Sequence, residues 1–383
     1  MASIKSFITI SMLSLVHKDD LVAFLLPIKD TLVERGIWKE DEKTDFDYRQ
    51  LARYLHEKCP EEIENKLYAF HSIAKPEWIE EIEAALSQLK IETEILDDVY
   101  KKAALLVNTD IDLCNKIAAK HMADEPHTYL HYKPTSFRSV DPLTTRQLVK
   151  LNSNLSSFFA KAGKSDHIAI YPHTIGDYVF YCVSHGAPKT RENSVGEEQK
   201  VHTFRPELVD IVRVNLTNGE ISIHMKRSTS KAQIDTYIKA FGNTLLPDSI
   251  YVENHKYNTN ALRNPNALSI GEMANDIARV EVAAFTYLDR NGCKKICSQN
   301  ISAELFECME ADAHFVAITF NFQFTPHGGK FKARISGGNK SESPTGVNET
   351  LIEKFFVQNG FIVEIDDAET FEMLSTGTLS AVR

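Results

Sequence analysis

The spacing of apolar residues along the chain changes near Gly163 from a helical to a strand pattern. Before this point apolar residues recur at intervals of three and four, as in Ile79–Leu89, which is the spacing of one helix face. Beyond it apolar and polar residues alternate, as in Ile318–Phe324, which is typical of a strand with one buried face. This change predicts an α+β fold: an N-terminal all-α domain followed by a mixed or antiparallel β-sheet body with flanking helices.

A chain of 383 residues is long enough for two or three domains. Prolines and polar residues interrupt the helical pattern at residues 131–145, so we expect a boundary there. We predict an acidic helical domain over 1–135 and an α/β sheet domain over 143–260, with a β-hairpin at 208–226 around Asn218-Gly219. Residues 261–383 are either a β-rich α+β domain or a continuation of the same sheet.

Charge is distributed unevenly along the chain. The net charge is −8 over residues 1–135, +3 over 136–260 and −5 over 261–383. An acidic chain is repelled by phosphate at long range, which disfavours non-specific DNA binding. A protein partner is therefore expected first, and nucleic acid second.

Neither the apolar runs nor the cysteines indicate a membrane or an oxidising compartment. The run Phe7–Val16 is too short to span a bilayer. The six cysteines are sparse, and the closest pair, Cys293 and Cys297, lacks the spacing of a redox motif. We predict a cytoplasmic protein without membrane contact.

Four residues of the middle region follow the order of a nuclease motif. Asp210 lies on one predicted strand, Lys226 lies on the next, and Gln233 and Tyr237 lie four apart on a predicted helix. This order resembles the RecB-like variant of the PD-(D/E)xK nucleases. In that family two carboxylates hold Mg²⁺ and a lysine orients the attacking water. The resemblance implies Asp210, Lys226, Gln233 and Tyr237 as an alternative catalytic set.

The chain departs from this family at the second carboxylate. His224 stands two positions before Lys226, where the family has an acid, and imidazole is a poor ligand for a hard cation. Glu220 lies about 20 Å from Lys226 along an extended strand. We therefore expect a nuclease-like core without cleavage activity, or an unrelated sheet, and favour a protein that is not an enzyme.

Histidines and basic residues provide two further candidate sites. His127 and His131, with His121 upstream, suit a metal pair on one helix face, although the Glu of a catalytic HExxH motif is absent. We favour packed or solvated histidines, and expect no metal or other cofactor. A basic group of Arg205, Arg213, Lys226, Arg227 and Lys231 could contact an acidic partner or form a solvated sheet edge. Its proposed binding residues are Arg205, Lys226, Arg227 and Lys231.

These patterns lead to one functional expectation and one alternative. The chain lacks a complete catalytic motif, and its acidic helical part contrasts with a mildly basic middle. We expect a non-enzymatic, cytoplasmic interaction or adaptor subunit of a larger assembly. The alternative is a nucleic-acid-associated protein, such as a bacterial defence component, on a degenerate PD-(D/E)xK-like core.

Overall fold

The computed structural model divides the chain into two compact units. The first comprises Met1–Met122 and Lys189–Pro206, and the second comprises Ala123–Pro188 and Glu207–Arg383. The structure describes residues 7–39, 45–91, 98–125, 127–188, 190–195, 199–204, 207–226, 230–262, 268–298, 301, 314–325, 330–343 and 347–362.

The first unit consists mainly of short helices. They are α1 (Ile10–Leu15), α2 (Lys18–Leu25), α3 (Lys29–Glu34), α4 (Tyr48–Lys58), α5 (Glu61–Ile73), α6 (Ile79–Gln88), α7 (Val99–Thr109) and α8 (Ile111–Asp124). Asp47 caps α4 by accepting from two backbone amides of its first turn. Pro60 and Pro76 stand at the entries to α5 and to the 3₁₀ turn before α6, where a missing amide proton costs nothing.

Two small antiparallel pairs accompany these helices. They are β1 (Trp38–Lys39) with β2 (Asp45–Phe46), and β6 (Thr190–Val195) with β7 (Gln199–Phe204). The apolar helix faces enclose one core, in which Phe24, Leu51, Phe70 and Leu86 are fully buried.

The second unit is built on one antiparallel sheet of eleven described strands. Its strands are β3 (His127–Pro134), β4 (Ile168–Ile175), β5 (Tyr178–Gly186), β8 (Glu207–Asn215), β9 (Ile221–His224), β10 (Tyr251–Glu253), β11 (Ile277–Leu288), β12 (Lys294–Cys297), β13 (His314–Phe324), β14 (Lys330–Ser336) and β15 (Lys340–Ser343). The strand order is β12-β11-β13-β14-β15-β3-β9-β8-β5-β4, and β10 also pairs with β3. The middle and last thirds of the chain therefore share this sheet.

In the described part of the second unit, three α-helices accompany the sheet: α9 (Thr145–Lys161), α10 (Lys231–Leu245) and α11 (Val347–Gln358). Leu155 and Phe159 of α9 and Tyr237 and Phe241 of α10 pack with apolar residues of β5, β8 and β9. Phe355 and Phe356 of α11 pack instead with the phenylalanines of β13. The α+β class predicted from the change in spacing is confirmed.

The β8–β9 connection shows how a short local sequence builds the hairpin. Gly219 adopts a φ of +74°, a conformation that is strained for residues with a Cβ. Asn218 Oδ1 accepts from the backbone amide of Glu220 at 2.9 Å. A Cβ at position 219 would also come within 3.0 Å of Leu246, so both φ and space favour glycine.

Among the described residues, no helix has both the length and the apolar character needed to cross a membrane. The sequence of Phe361–Ile365 predicts a closing strand after Gly360, and most of it falls outside the described residues. Ile362, at its start, forms a bridge with Tyr257.

Candidate functional site

Strand register separates the polar residues of β5, β8 and β9 onto two faces of the sheet. Asp210 lies opposite Val183, and Val183 packs in the core with α9 and α10. Arg213 lies opposite Phe180 and Ser222. It is three positions after Asp210 on the same strand, which is an odd number. Since side chains alternate along a strand, Asp210 lies on the α10 face and Arg213 on the other, which we call the α11 face.

On the α10 face, Asp210 is the centre of a buried hydrogen-bonded cluster with His185, Gln233 and Tyr237. Its Oδ2 accepts from Gln233 Nε2 at 2.6 Å and from Tyr237 Oη at 2.8 Å, and lies 2.9 Å from His185 Nε2. Its Oδ1 accepts from the backbone amide of Lys226 at 3.3 Å. We call these four side chains the Asp210 cluster.

Residues at the end of α9 enclose this cluster. The Phe159 ring stacks on His185 with centroids 4.2 Å apart. Lys164, just after the helix, donates from Nζ to Gln233 Oε1 at 2.7 Å and lies over the Phe159 ring. Partial burial lowers the pKa of Lys164, and Asp210 opposes this change. A chain of contacts thus connects α9, α10 and β8.

This geometry suits a structural clamp better than a metal centre. Asp210 is 2% exposed, and its four partners occupy both carboxylate oxygens. Ile221 and Ile223, the β9 residues on the same face, are buried and apolar. Among the described residues, no group of three potential ligand side chains could hold a metal ion.

The nuclease-like residues are only partly brought together. Asp210, Gln233 and Tyr237 converge, whereas Lys226 contributes its backbone amide and its side chain is exposed. His224 pairs with Ile211 and so lies on the α11 face, with Nδ1 3.1 Å from the Thr128 carbonyl oxygen. The residue at the position where the nuclease family has its second carboxylate therefore lies on the opposite face of the sheet from Asp210.

The prediction that His127 and His131 lie on one helix face is wrong, because both residues lie in strand β3. Backbone pairing with β9 and β15 on either side holds this segment extended. Residues four apart along a strand are about 13 Å apart, too far to share one ion. His121 belongs to α8, where its ring stacks on Trp78 at 3.7 Å.

The proposed binding residues divide into exposed and undescribed ones. Lys226 and Lys231 are exposed, while Arg205 and Arg227 lie outside the described residues. Arg213 does not belong to a solvated edge: its side chain is 2% exposed and paired with Glu349 of α11. Sequence reasoning missed His185 and Lys164, since neither belongs to a recognisable motif and both meet Asp210 or Gln233 through long-range packing.

Beside the Asp210 cluster, a groove of about 710 Å³ runs between α10 and strands β3, β10 and β15. Exposed Lys231, Lys239 and Lys340 contribute to its lining. The other described lining residues are apolar, aromatic, acidic or neutral polar: Leu130, Tyr132, Ile234, Asp235, Ile238, Asn243, Ser249, Ile250, Tyr251, Glu253 and Asn339. Helix α10 thus faces the buried carboxylate with Gln233 and Tyr237 and the groove with Lys231, Ile234, Asp235, Ile238 and Lys239.

On the α11 face, charged side chains are buried in two connected groups. Glu220 lies 2.9 Å from His131 Nδ1 and accepts from Lys256 at 3.0 Å and from Asn254 at 2.8 Å. Burial lowers the pKa of His131 to about 4, and Lys256 acts in the same direction while Glu220 opposes it. Burial works against ionisation of Glu220, yet Lys256 and His131 hold its pKa well below the usual range.

The second group fixes α11 to the sheet. Arg213 pairs with Glu349 and lies between the rings of Tyr129 and Tyr178, each 4.6 Å from its guanidinium carbon. Tyr178 donates to Glu353 at 3.0 Å, and Lys256 donates to the same carboxylate at 3.4 Å. We call the two groups together the α11-face network.

The fold and the site define a class: an α+β protein with a sealed carboxylate cluster beside an open, lysine-bearing groove. A scan against protein-family models finds none that matches the chain, and a search of curated proteins also finds no match. Function is therefore inferred from the geometry alone.

Proposed function

We propose that this chain is a non-enzymatic interaction subunit of a larger assembly, and that a segment of a partner protein binds in the groove along α10. The observation that carries this proposal is the division of α10. Gln233 and Tyr237 are committed to Asp210, whereas Lys231, Ile238 and Lys239 line the groove. The carboxylate of Asp210 is thus satisfied internally, while the adjacent groove is open.

The state of Asp210 argues against catalysis at this position. Mg²⁺ requires oxygen ligands in near-octahedral geometry, commonly from more than one carboxylate and from water. Asp210 is buried and is hydrogen-bonded by side chains of two elements, β5 and α10. To bind a cation it would have to give up hydrogen bonds that hold α10 against β8.

The groove favours a segment that combines carboxylates with apolar side chains. Among the described lining residues, three lysines outnumber the two acids Asp235 and Glu253, and three isoleucines supply apolar surface. Charge at an exposed margin contributes orientation and association rate, and salt weakens it. The cytoplasm is the compartment we propose, since six cysteines in a chain of 383 residues are sparse.

Quantitative affinity capture from the native host tests the proposal. The tagged full chain is compared with Lys231→Gln/Lys239→Gln in the groove and with Lys150→Gln/Lys161→Gln, which removes two exposed lysines of α9. A specific partner should remain with the wild type and the α9 variant. The amount of captured partner should fall by roughly fivefold with the groove variant. This corresponds to a loss of about 1 kcal/mol in binding free energy for two exposed charges. Equal capture by both variants would exclude the groove as the binding site.

A second candidate function is nucleic-acid binding on a degenerate nuclease-like core. The convergence of Asp210, Gln233 and Tyr237 favours it, because these are three of the four residues that the family resemblance implies. Titration with labelled single- and double-stranded DNA and RNA separates the two candidates. Submicromolar, salt-dependent binding that requires Lys231 and Lys239 would favour nucleic acid. Cleavage with Mg²⁺ or Mn²⁺ that is lost in Asp210→Asn would overturn both non-enzymatic candidates.

A further inference from the structure

Residues 363–383 follow the last described residue and have an acidic composition. Five carboxylates fall between positions 364 and 372, and residues 363–374 contain no lysine or arginine. Ile365, Phe371 and Met373 are interspersed with these acids. This part of the chain therefore has the combination of carboxylates and apolar side chains that suits the groove along α10.

The segment leaves the fold on the α11 side of the sheet, where Ile362 and Tyr257 pack with the apolar residues of α11, and it is close, through backbone pairing, to the residues that precede β15. Ile362 bridges Tyr257, and Tyr257 also bridges Gly338. Asn339 and Lys340, which follow Gly338, line the groove. Adjacent strands are about 4.8 Å apart, so two bridges place Ile362 on the order of 10 Å from the residues that lead into the groove wall.

The segment is long enough to reach along the groove. Each extended residue covers at most about 3.5 Å, so residues 363–374 can span roughly 40 Å. The groove extends along α10 from Lys231 to Asn243, about 18 Å at the rise of an α-helix. Length therefore permits the acidic part of the segment to meet both Lys239 and Lys231.

We propose that residues 363–374 bind in the groove along α10 and compete there with the partner. This inference rests on the proposed function, because it assigns regulation to the same groove. The carboxylates pair with Lys231, Lys239 and Lys340, and the apolar residues lie against Ile234 and Ile238. The chain thereby carries an internal competitor whose charge sets how readily a partner gains access.

Even a weak internal interaction would alter partner binding. A short tether gives an effective concentration of a few mM. At about 3 mM and an intrinsic dissociation constant of about 1 mM, the groove would be occupied in roughly three molecules of four. Partner affinity would then fall by about fourfold, and neutralising the segment would restore it.

Zero-length crosslinking of the full chain tests where the segment binds. A carbodiimide joins lysine amines to carboxylates, and mass spectrometry identifies the joined peptides. We expect the 364–372 carboxylates to join Lys231, Lys239 or Lys340 in preference to exposed Lys150 and Lys161. Equal joining to the α9 lysines would overturn the proposal. In a mixture of ¹⁴N- and ¹⁵N-labelled chains, mixed-isotope products would overturn an intramolecular contact.

Partner capture with a neutralised segment tests the competition. The variant changes Glu364, Asp366, Asp367, Glu369 and Glu372 to their amides within the full chain. Capture should rise about fourfold and remain sensitive to Lys231→Gln/Lys239→Gln. Unchanged capture that still depends on the groove lysines would overturn the competitor and leave the proposed function intact. Capture indifferent to both sets of substitutions would overturn the partner site itself.

Discussion

The two faces of the β8–β9 hairpin bury carboxylates by different chemistry. On the α10 face, Asp210 is satisfied mainly by a glutamine amide, a tyrosine hydroxyl, a histidine and a backbone amide. On the α11 face, Glu220 meets Lys256 and Glu349 meets Arg213. One face uses hydrogen bonds from several elements, and the other relies on full positive charges.

This difference predicts how each face responds when a partner is removed. A buried ion that loses its counter-charge pays the full cost of desolvation, whereas a carboxylate with several donors loses one hydrogen bond of several. We therefore expect the α11 face to be more sensitive to single substitutions and to pH.

The largest expected effect is that of Arg213→Met. Glu349 would remain buried beside α11 without its counter-charge, and we expect a loss of about 3–5 kcal/mol in the free energy of unfolding. Urea denaturation followed by circular dichroism measures it. The double variant Arg213→Met/Glu349→Leu should recover most of the loss, since neither charge then remains buried. A single variant that costs less than about 1 kcal/mol would contradict the assigned role of this pair.

The second effect is a dependence of stability on pH that comes from His131. Its pKa is lowered to about 4 in the folded chain, so between pH 6.5 and 4 the unfolded chain binds a proton that the folded chain does not. The free energy of unfolding therefore does not depend on this group above pH 6.5, and it decreases by about 3 kcal/mol as the pH drops to 4. Denaturation at pH 7, 5.5 and 4.5 measures the slope.

A matched pair of variants isolates this contribution. His131→Gln should flatten the slope, whereas His167→Gln, at an exposed histidine, should leave it unchanged. Glu220 contributes in a separate window, because its pKa is lowered and its stabilising effect is lost only below about pH 4.5. Parallel slopes for the wild type and His131→Gln would contradict the buried neutral imidazole.

A smaller effect is expected for Asp210→Asn on the α10 face. The asparagine side chain keeps one acceptor oxygen, but its NH₂ group faces the donors that Asp210 accepts from. We expect the free energy of unfolding to fall by about 2 kcal/mol. Thermal and urea unfolding measure it, with Asp166→Asn at an exposed carboxylate as the control. A cost equal to that of Arg213→Met would remove the contrast between the faces.

The smallest expected effects come from two buried tyrosines, one on each face. Tyr237 Oη donates to Asp210 at 2.8 Å, so Tyr237→Phe should cost about 1.5 kcal/mol. Tyr129 Oη has no hydrogen-bond partner within the described part of the chain, so Tyr129→Phe should change stability by less than about 0.5 kcal/mol. Equal costs in urea denaturation would show that the two hydroxyls have similar environments.

Several elements follow from local sequence alone. The helical spacing of residues 79–89 corresponds to α6, and the alternation at 318–324 corresponds to β13. α11 ends at Gln358, two residues before Gly360, whose φ is +71°. In each case the information lies within a few residues, because backbone propensity and one buried face specify the element.

The candidate site required more than such patterns. The order Asp210, Gln233 and Tyr237 indicated three residues that do converge, but not that Asp210 would be sealed by His185 and the backbone of Lys226. Nor did it indicate that His224 lies on the other face. Register determines the face of each strand residue, and a shift of one residue reverses it.

The sequence by itself determined the α+β class, several individual elements and three members of the Asp210 cluster. Tertiary structure decided that residues 127–134 form a strand, through pairing with β15 more than 200 positions away, and that Arg213 is buried against Glu349, 136 positions away. Local periodicity cannot encode such pairings, because the free energy that fixes them comes from groups that meet only when the chain has folded.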